Sequence, residues 1–472
     1  MRVRFCAVAS ILALVLAPTS VVAQEATPTA PAWPGYVPKL FRWDEDYGFL
    51  RNAADPVPYP LRLKYLPIGD ASQAYVSFGG DYRLRVDDYG HPDFGMRAAP
   101  GFTSLQQRFL LHADAHFGSE LRVFVQLGGD LESGRKPVAR PSDHSHPDLA
   151  QAFVDWSFGP SDERWRLRVG RQEVAIGRYI AVRDVTNIRR TFDGARLDGN
   201  FAGWTITGLA ARATRNRPAA FDDTPDSKDG VALVVVEHPL PIDNFKLDLA
   251  VIEHDNKVAR YAPGVGDERR KTFGVRVFGS RDGWDFDAQV SYQTGSFAPI
   301  GSPALEIRAI GAAFEGGRTF ALPWSPRLAL RIDAAGGDGN AKDRRLGTFD
   351  LPYPNLSYLT DAGIFAPRNV RDLQPFVSLL PISSLTLTAG AEFLWRNSTK
   401  DAVFSAIDTP VIAPGGHGNY VATQPHLRFD WRINPLLEWQ GAVVHAFPGS
   451  ALESSGGRHG LSYAYSSLTA RF

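Results

Sequence analysis

Arginine side chains recur at alternate positions along much of this sequence, separated by apolar residues. Within residues 83–85, 166–168 and 327–331 the alternation puts guanidinium groups on one face of an extended segment and leucines on the other. A guanidinium stays charged at physiological pH and binds carboxylates through two parallel hydrogen bonds. Because dry burial of many ions would cost several kcal/mol each, such a face indicates a hydrated passage.

The polar phase of the alternation contains both signs of charge. Its arginines are Arg83, Arg85, Arg108, Arg122, Arg166, Arg168, Arg196, Arg276, Arg308, Arg327, Arg331, Arg396, Arg428, Arg432 and Arg471. Its acids are Asp81, Asp114, Asp155, Asp285, Asp287, Glu306, Asp333, Glu392, Asp430 and Glu438. Arginines outnumber acids, which predicts a preference for anionic solutes. For any single residue the alternative is a wall ion pair that only stiffens the structure.

Two groups of residues have the donors that a metal site would need. His112, Asp114 and His116 share one face of a predicted strand, but no fourth ligand is visible. The second group is the predicted loop 143–148, DHSHPD, in which two histidines lie among acids. We interpret the first as a hydrogen-bonded network and the second as a solvated loop, and expect neither metal nor cofactor. Calcium or another adventitious metal at the two aspartates of that loop is the alternative.

Motifs of enzymes and of nucleic-acid-binding proteins are missing from the sequence. Neither G-x-S-x-G nor H-E-x-x-H occurs, and Ser, His and Asp are too scattered to assign a triad. The 51 basic and 51 acidic residues balance, so no basic patch indicates nucleic acid. We therefore predict a protein without enzymatic activity, with a barrel-embedded hydrolase as the rival hypothesis.

The charged side chains lie in segments in which polar and apolar residues alternate as they do in β-strands. The segments span about ten residues, the length at which a tilted strand crosses the hydrocarbon layer. They begin near residues 74, 105, 121, 148, 165, 192, 203, 230, 245, 270, 284, 305, 326, 370, 385, 420, 436 and 461. Beyond the N-terminal segment no apolar run approaches the ~18 residues of a membrane helix. The sequence predicts an all-β protein, a transmembrane antiparallel β-barrel of about 18 strands.

The connections between these segments alternate in length. The short ones are 118–120, 159–164, 199–202, 238–244, 281–283, 381–384 and 433–435. The long ones are 87–104, 131–147, 174–191, 215–229, 255–269, 337–369 and 397–419. An outer-membrane barrel with periplasmic termini has this pattern, with short periplasmic turns and long extracellular loops. The longest loop, 337–369, is expected to fold over or into the extracellular mouth.

The N-terminal residues predict export. Arg2 and Arg4 precede an apolar stretch, residues 7–17, and small residues lead up to Ala23. This arrangement is typical of a secretory signal peptide, which we place at residues 1–23 with cleavage after Ala23.

The sequence divides into three predicted regions. The signal peptide contains Cys6, the only cysteine, so the mature chain would have no disulfide. Residues 24–73 form a proline- and aromatic-rich periplasmic leader without strand alternation, expected to dock at the periplasmic mouth or inside the lumen. Residues 74–472 form the barrel, which ends on an alternating segment at Phe472, as is typical of outer-membrane barrels.

Several stretches resemble the alginate-export family of outer-membrane channels. Near the N-terminus they are 41–47 (FRWDEDY), 63–69 (LKYLPIG) and 75–83 (YVSFGGDYR). The most specific are 170–173 (GRQE), Gly177, Asn187, Arg189 and 192–196 (FDGAR). Further on they are 348–350 (TFD), 353–354 (YP) and 368–369 (RN). The resemblance covers nearly the whole predicted mature chain.

This resemblance implies an eighteen-stranded barrel with an arginine-rich constriction that passes a polyuronate. The residues that it implies for the constriction are Arg83, Arg171, Arg189, Arg190 and Arg196, with Asp193 holding them in place. Arg171 falls on the outward phase of its strand. Either Gly170 marks a β-bulge or Arg171 lies at the rim.

We therefore expect an outer-membrane channel of a Gram-negative cell that passes anionic solutes, with an exported acidic polysaccharide such as alginate as one candidate. A general or uptake porin for small acidic molecules is the alternative. The expected partners are the lipid bilayer and lipopolysaccharide, anionic saccharides or other small solutes, the barrel assembly machinery and periplasmic export partners, with no nucleic acid.

Overall fold

The computed structural model describes residues 38–52, 57, 59–69, 73–97, 99–137, 139–242, 244–340 and 342–472. The predicted signal peptide and residues 24–37 of the predicted leader lie outside this part of the chain. Among the residues described, no helix is long and apolar enough to cross a membrane.

Eighteen long strands account for most of the chain. In order they are β1 Ala74–Gly90, β2 Phe102–Phe117, β3 Leu121–Ser133, β4 Ser145–Phe158, β5 Trp165–Glu173, β6 Thr191–Phe201, β7 Trp204–Arg215, β8 Thr224–Pro239 and β9 Phe245–Tyr261. They continue as β10 Gly264–Arg281, β11 Trp284–Pro299, β12 Leu305–Thr319, β13 Arg327–Ala335, β14 Val370–Ile382, β15 Leu385–Arg396, β16 Tyr420–Asn434, β17 Leu437–Pro448 and β18 Leu461–Arg471.

The smaller elements flank these strands. The 3₁₀ turns are Arg42–Asp44, Gly48–Asn52 and Leu61–Leu63, and a short helix spans Ser450–Glu453. The short strands are Leu66–Pro67, Arg345–Leu346, Val403–Phe404 and Pro410–Ile412.

The long strands close into a barrel. Each pairs antiparallel with the next, and β18 pairs with β1 from Asp81 opposite Arg471 to Gly90 opposite Ser462. Closure leaves none of the eighteen long strands with an unpaired edge, as a barrel in lipid requires. The predicted all-β fold and the predicted number of strands are both confirmed. The segments predicted to begin near residues 192, 230 and 370, whose alternation is the weakest, are also strands.

Alternation sets the two faces of the wall. On β11, Val290 and Tyr292 are 53% and 48% exposed, whereas their neighbours Gln289 and Ser291 are 5% and 1% exposed. Since successive side chains of a strand point to opposite faces, the apolar phase faces outward and the polar phase inward. An apolar outer face over a polar interior is the pattern of a barrel that lies in a membrane.

The two ends of the barrel differ. The turn end has connections 118–120, 159–164, 202–203, 240–244, 282–283, 320–326, 383–384 and 435–436. The loop end has 91–101, 134–144, 174–190, 216–223, 262–263, 300–304, 336–369, 397–419 and 449–460. The prediction of a long loop at residues 255–269 is wrong. Most of these residues belong to β9 and β10, and the chain turns between Tyr261 and Gly264. Charged residues alternate along β10 as well: Glu268 and, just after this segment, Arg270 are buried inside the barrel, as expected for one face of a strand.

Loop A (174–190) and loop B (336–369) fold into the barrel and meet there. Ala181 N–H donates to the carbonyl oxygen of Tyr353 at 2.9 Å, and Tyr353 N–H donates to that of Tyr179 at 3.1 Å. Apolar side chains of both loops join inward-facing residues such as Leu209 and Ile252 in one buried cluster. The sequence predicts a wet lumen throughout, but hydrophobic burial fills part of its loop-end half.

The described part of the leader docks on the inner wall at the turn end. The Trp43 ring lies 4.9 Å from that of Phe41 and 3.7 Å from the Arg168 guanidinium of β5. Lys64 Nζ donates to the carbonyl oxygen of Phe78 at 2.8 Å. The described part of the leader thus lies on one side of the lumen, against β1 and β4 to β6.

Candidate transport pathway

Asp184 of loop A is shared by three arginines. Arg108 Nη2 and Arg189 Nε donate to its Oδ1 at 2.6 and 2.7 Å. Arg83 Nη1 donates to its main-chain carbonyl oxygen at 2.5 Å. The structure therefore brings two of the expected residues, Arg83 and Arg189, together at Asp184 rather than at Asp193. Sequence reasoning missed Asp184, although an acid inside an arginine-rich motif is the signal that could have identified it.

Arg189 is held on two further sides. Its Nη1 lies 3.3 Å from Oε2 of Glu173 and donates to the carbonyl oxygen of Leu40 in the leader at 3.1 Å. Burial by itself would lower the pKa of Arg189, but the carboxylates of Glu173 and Asp184 raise it above its ordinary value. Arg189 thus links the leader to loop A and remains positively charged.

Arg183 and Arg190, also in loop A, make no ion pair with the residues described. Arg190 Nη1 donates to the carbonyl oxygen of Ala181 at 3.4 Å, and its guanidinium lies 5.1 Å from the ring centre of Tyr353. Burial and the neighbouring Arg190 charge lower the pKa of Arg183 to about 9. Arg183 is therefore charged at neutral pH, and both side chains are partly exposed.

Arg196 lies nearer the turn end, apart from the Asp184 group. Its Nη2 lies 2.8 Å from Oδ1 of Asp198, and Arg166 contacts the second oxygen of the same carboxylate at 3.0 Å. The guanidinium of Arg196 is 6.0 Å from the Trp43 ring. This site combines two arginines with one aspartate beside the docked leader.

The remaining two expected residues pair with each other on the outward phase. Arg171 is opposite Asp193 in the β5–β6 register, and its Nε donates to Asp193 Oδ1 at 3.0 Å. Phe192, the neighbour of Asp193, points inward and contacts Tyr353. The structure therefore corrects the expectation that Arg171 and Asp193 line the lumen, because the wall separates this pair from Asp184. Gly170, at φ +132°, keeps the strand register without a bulge.

On the wall opposite the leader, partly exposed ion pairs line the turn-end half. Arg276 lies 2.8 Å from Asp287, Arg327 contacts Asp285, and Arg428 lies 2.7 Å from Asp430. The Arg428 side chain is 34% exposed. Since each of these arginines has a carboxylate partner, this wall is polar and wet but has little net charge.

The histidines that could have bound a metal have other partners. Asp114 contacts both His116, at 3.2 Å, and Arg122. His112 stacks on Phe124 with the ring centres 5.4 Å apart. These contacts form a hydrogen-bonded and stacked network on the inner wall.

A closed barrel with an apolar outer face and a polar, partly open interior is the architecture of an outer-membrane channel. Comparison of the sequence with known families points to the same class of protein. The sequence profile described as "Alginate export" matches residues 74–465. The chain belongs to the alginate export family. The barrel accordingly belongs to the outer membrane, where porin-like proteins pass small solutes. Among curated protein sequences, none is similar enough to this chain to count as a relative.

Solved structures with the same fold are outer-membrane porins. Acinetobacter baumannii OccAB1 is 13% identical with a TM-score of 0.55, over 84% of this chain and 96% of that one. Pseudomonas aeruginosa OccK5 (OpdH) is 11% identical with a TM-score of 0.54, over 85% and 98%. Pseudomonas aeruginosa OccK2 (OpdF), solved in complex with glucuronate, is 13% identical with a TM-score of 0.52, over 84% and 96%. At these identities the likeness shows the fold alone.

Proposed function

We propose that this member of the alginate export family is a channel for anionic solutes, with acidic sugars as the preferred class and an exported acidic polysaccharide such as alginate as one candidate. The observation that carries the proposal is the pair Arg183 and Arg190. Both are partly exposed in loop A within the lumen, and among the residues described their guanidinium groups donate hydrogen bonds to main-chain carbonyl oxygens and form no direct ion pair. A fixed positive charge without a counter-ion lowers the barrier for a passing carboxylate.

The other expected arginines have supporting roles in this proposal. Arg83 and Arg189 position loop A through Asp184, and Arg196 adds charge near the turn end, where Asp198 offsets it. The complex of OccK2 with glucuronate is consistent with acidic sugars as solutes of this fold.

The test is the reversal potential across a salt gradient in planar bilayers. We expect the wild type to prefer anions and the double variant Arg183→Gln, Arg190→Gln to lose most of that preference. At about 8 Å in water, one unit charge changes the energy of a monovalent ion by about 0.5 kcal/mol. Removing one arginine raises the energy of an anion and lowers that of a cation by this amount, so the anion-to-cation permeability ratio should fall about fivefold for each arginine.

Arg212→Gln is the matched control, because Arg212 is opposite the outward-phase Asp193 on β7. It should leave the reversal potential unchanged. Cation preference in the wild type, or no shift in the double variant, would contradict the proposal.

The second candidate function is a general or uptake porin for small acidic molecules. One feature of the interior favours an uptake porin. Loops A and B narrow the loop-end half of the lumen, through which a wide polymer would have to pass. Liposome swelling with glucuronate and with short oligouronates separates the two. Swelling with the monomer alone supports uptake of small acids, whereas entry of the oligomers supports a polymer channel.

The remaining expectations form part of the same proposal. The chain is exported with a signal peptide cleaved after Ala23, residues 24–73 are a periplasmic leader, and the barrel assembly machinery inserts residues 74–472. The loop end then faces the outside, next to lipopolysaccharide, and any export partners act from the periplasm. The channel has no enzymatic activity. N-terminal sequencing of the mature protein tests the cleavage, and protease accessibility of loops in whole cells tests the orientation.

A further inference from the structure

Three aspartates meet at the loop end, where β4 extends beyond the end of β5. They are Asp148 of β4 and Asp222 and Asp223 of loop 216–223. One oxygen from each lies within 4.8 Å of the others, and among the residues described they form the only such group of His, Cys, Asp and Glu ligand atoms. Oxygens on a sphere of Ca²⁺-ligand radius, ~2.4 Å, are at most ~4.8 Å apart, so one cation can contact all three carboxylates.

The backbone builds this arrangement. Asp148 Oδ2 accepts the N–H of Asp222 at 2.8 Å and that of Asp223 at 3.1 Å. His146 N–H donates to the carbonyl oxygen of Pro218 at 3.1 Å, which ties the strand to loop 216–223. The carboxylates are therefore held together by main-chain contacts and do not depend on flexible surface side chains.

A separate observation, on Asp130, favours a bound cation at this place. Asp130 of β3 is 6% exposed, and its Oδ1 accepts no hydrogen bond from the residues described. It lines a cavity of about 30 Å³ together with Asp148 and Asp223, large enough for one ion or water molecule. Asp222 Oδ1 is also buried without a hydrogen-bond donor. A buried carboxylate oxygen without a partner is costly, which favours a bound positive charge.

The balance of charge supports the same conclusion. The carboxylates in or beside the cavity are Asp130, Asp148, Glu173, Asp222 and Asp223, and the guanidiniums are Arg108, Arg171 and Arg189. The carboxylates outnumber these guanidiniums, so the group has a net negative charge that a bound cation would offset. Arg171 offsets the group only weakly, because it is 3.8 Å from Asp148 and pairs at 3.0 Å with Asp193.

We propose that Asp148, Asp222 and Asp223 bind one Ca²⁺ ion, with Asp130 facing it from the cavity. Ca²⁺ accepts six to eight oxygen ligands in flexible geometry, which suits carboxylates from two segments, whereas Mg²⁺ requires a near-ideal octahedron. The ion joins β4 to loop 216–223 at the rim. Asp143, the other aspartate considered in the sequence, is excluded, since it lies 2.8 Å from Arg135.

The test uses the full chain, refolded from denaturant in detergent so that no lipopolysaccharide carries calcium with it. After chelation, Ca²⁺ is titrated by calorimetry. We expect one site per chain, at least tenfold weaker binding of Mg²⁺, and a thermal midpoint that rises with added Ca²⁺. The double variant Asp222→Asn, Asp223→Asn should bind Ca²⁺ more than tenfold more weakly, while the control Asp267→Asn, exposed on β10, should bind as the wild type does.

Absence of Ca²⁺ binding by the wild type, or equal affinity in the double variant, would overturn the proposal. If the double variant does not refold, Asp130→Asn provides the decision, because it preserves shape and leaves loop 216–223 intact. Unchanged affinity in a folded Asp130→Asn protein would then overturn the proposal, and a stoichiometry other than one would reject the site as described.

Discussion

Replacing Trp43 by alanine should release the described part of the leader from the inner wall. Trp43 is 3% exposed, with Phe41 on one side and the Arg168 guanidinium at 3.7 Å on another. The edge of its ring packs on Phe153, with the ring centres 6.2 Å apart. No other leader residue that the structure describes makes ring contacts with as many wall residues of β4 to β6, so the truncation removes the main apolar attachment of this part.

The size of the effect follows from this burial. Truncating a buried tryptophan to alanine costs about 3–5 kcal/mol. Each 1.4 kcal/mol is a tenfold change in an equilibrium, so the undocked population should rise on the order of 10²- to 10³-fold. The polar contacts of Lys64 with Phe78 and of Arg42 with Asp81 remain, so most chains should still have a docked leader on average.

Hydrogen–deuterium exchange of residues 39–52 measures this change directly. The exchange rates should rise with the undocked population, and single-channel recordings should show more frequent steps to a larger conductance. Trp324→Ala is the matched control, because Trp324 is 58% exposed in a turn-end connection and should leave both measurements as in the wild type. Unchanged exchange of the leader in Trp43→Ala would refute the reasoning.

Two further predictions concern the loop end and the wall. Deleting residues 352–362 of loop B should raise single-channel conductance, since this segment contacts loop A inside the barrel; an identical conductance would show that it does not obstruct the path. Gly170→Ala should reduce the heat-modifiable, folded fraction severely, because φ is +132° and an added Cβ would clash with the carbonyl oxygen of Ala152. Gly339→Ala, where a Cβ meets nothing within 4 Å, is its control, and equal folding of the two variants would contradict the argument.

Local periodicity determined much of this protein from the sequence alone. Because side chains alternate strictly along a strand, a period of two identifies each strand, its lipid-facing phase and its polar phase without knowledge of any partner. The eighteen strands and the inward position of Arg83 and Arg196 follow from that property. The same property placed Arg171 on the outward phase, where the structure has it.

Only the tertiary structure decided which charges meet and what fills the lumen. Asp184 contacts Arg83 and Arg189 because loop A folds into the barrel. A loop has no regular periodicity, so its local sequence does not predict where the loop lies. Residues 255–269 were expected to be a long loop because they are rich in Gly, Pro, Asp and Arg, yet they extend a hairpin with one face buried by loop B. The three aspartates at residues 148, 222 and 223 are distant in the sequence, and main-chain hydrogen bonds between β4 and loop 216–223 bring them together. Contacts of this kind depend on long-range register and on hydrophobic burial of the loops, which no single segment specifies by itself.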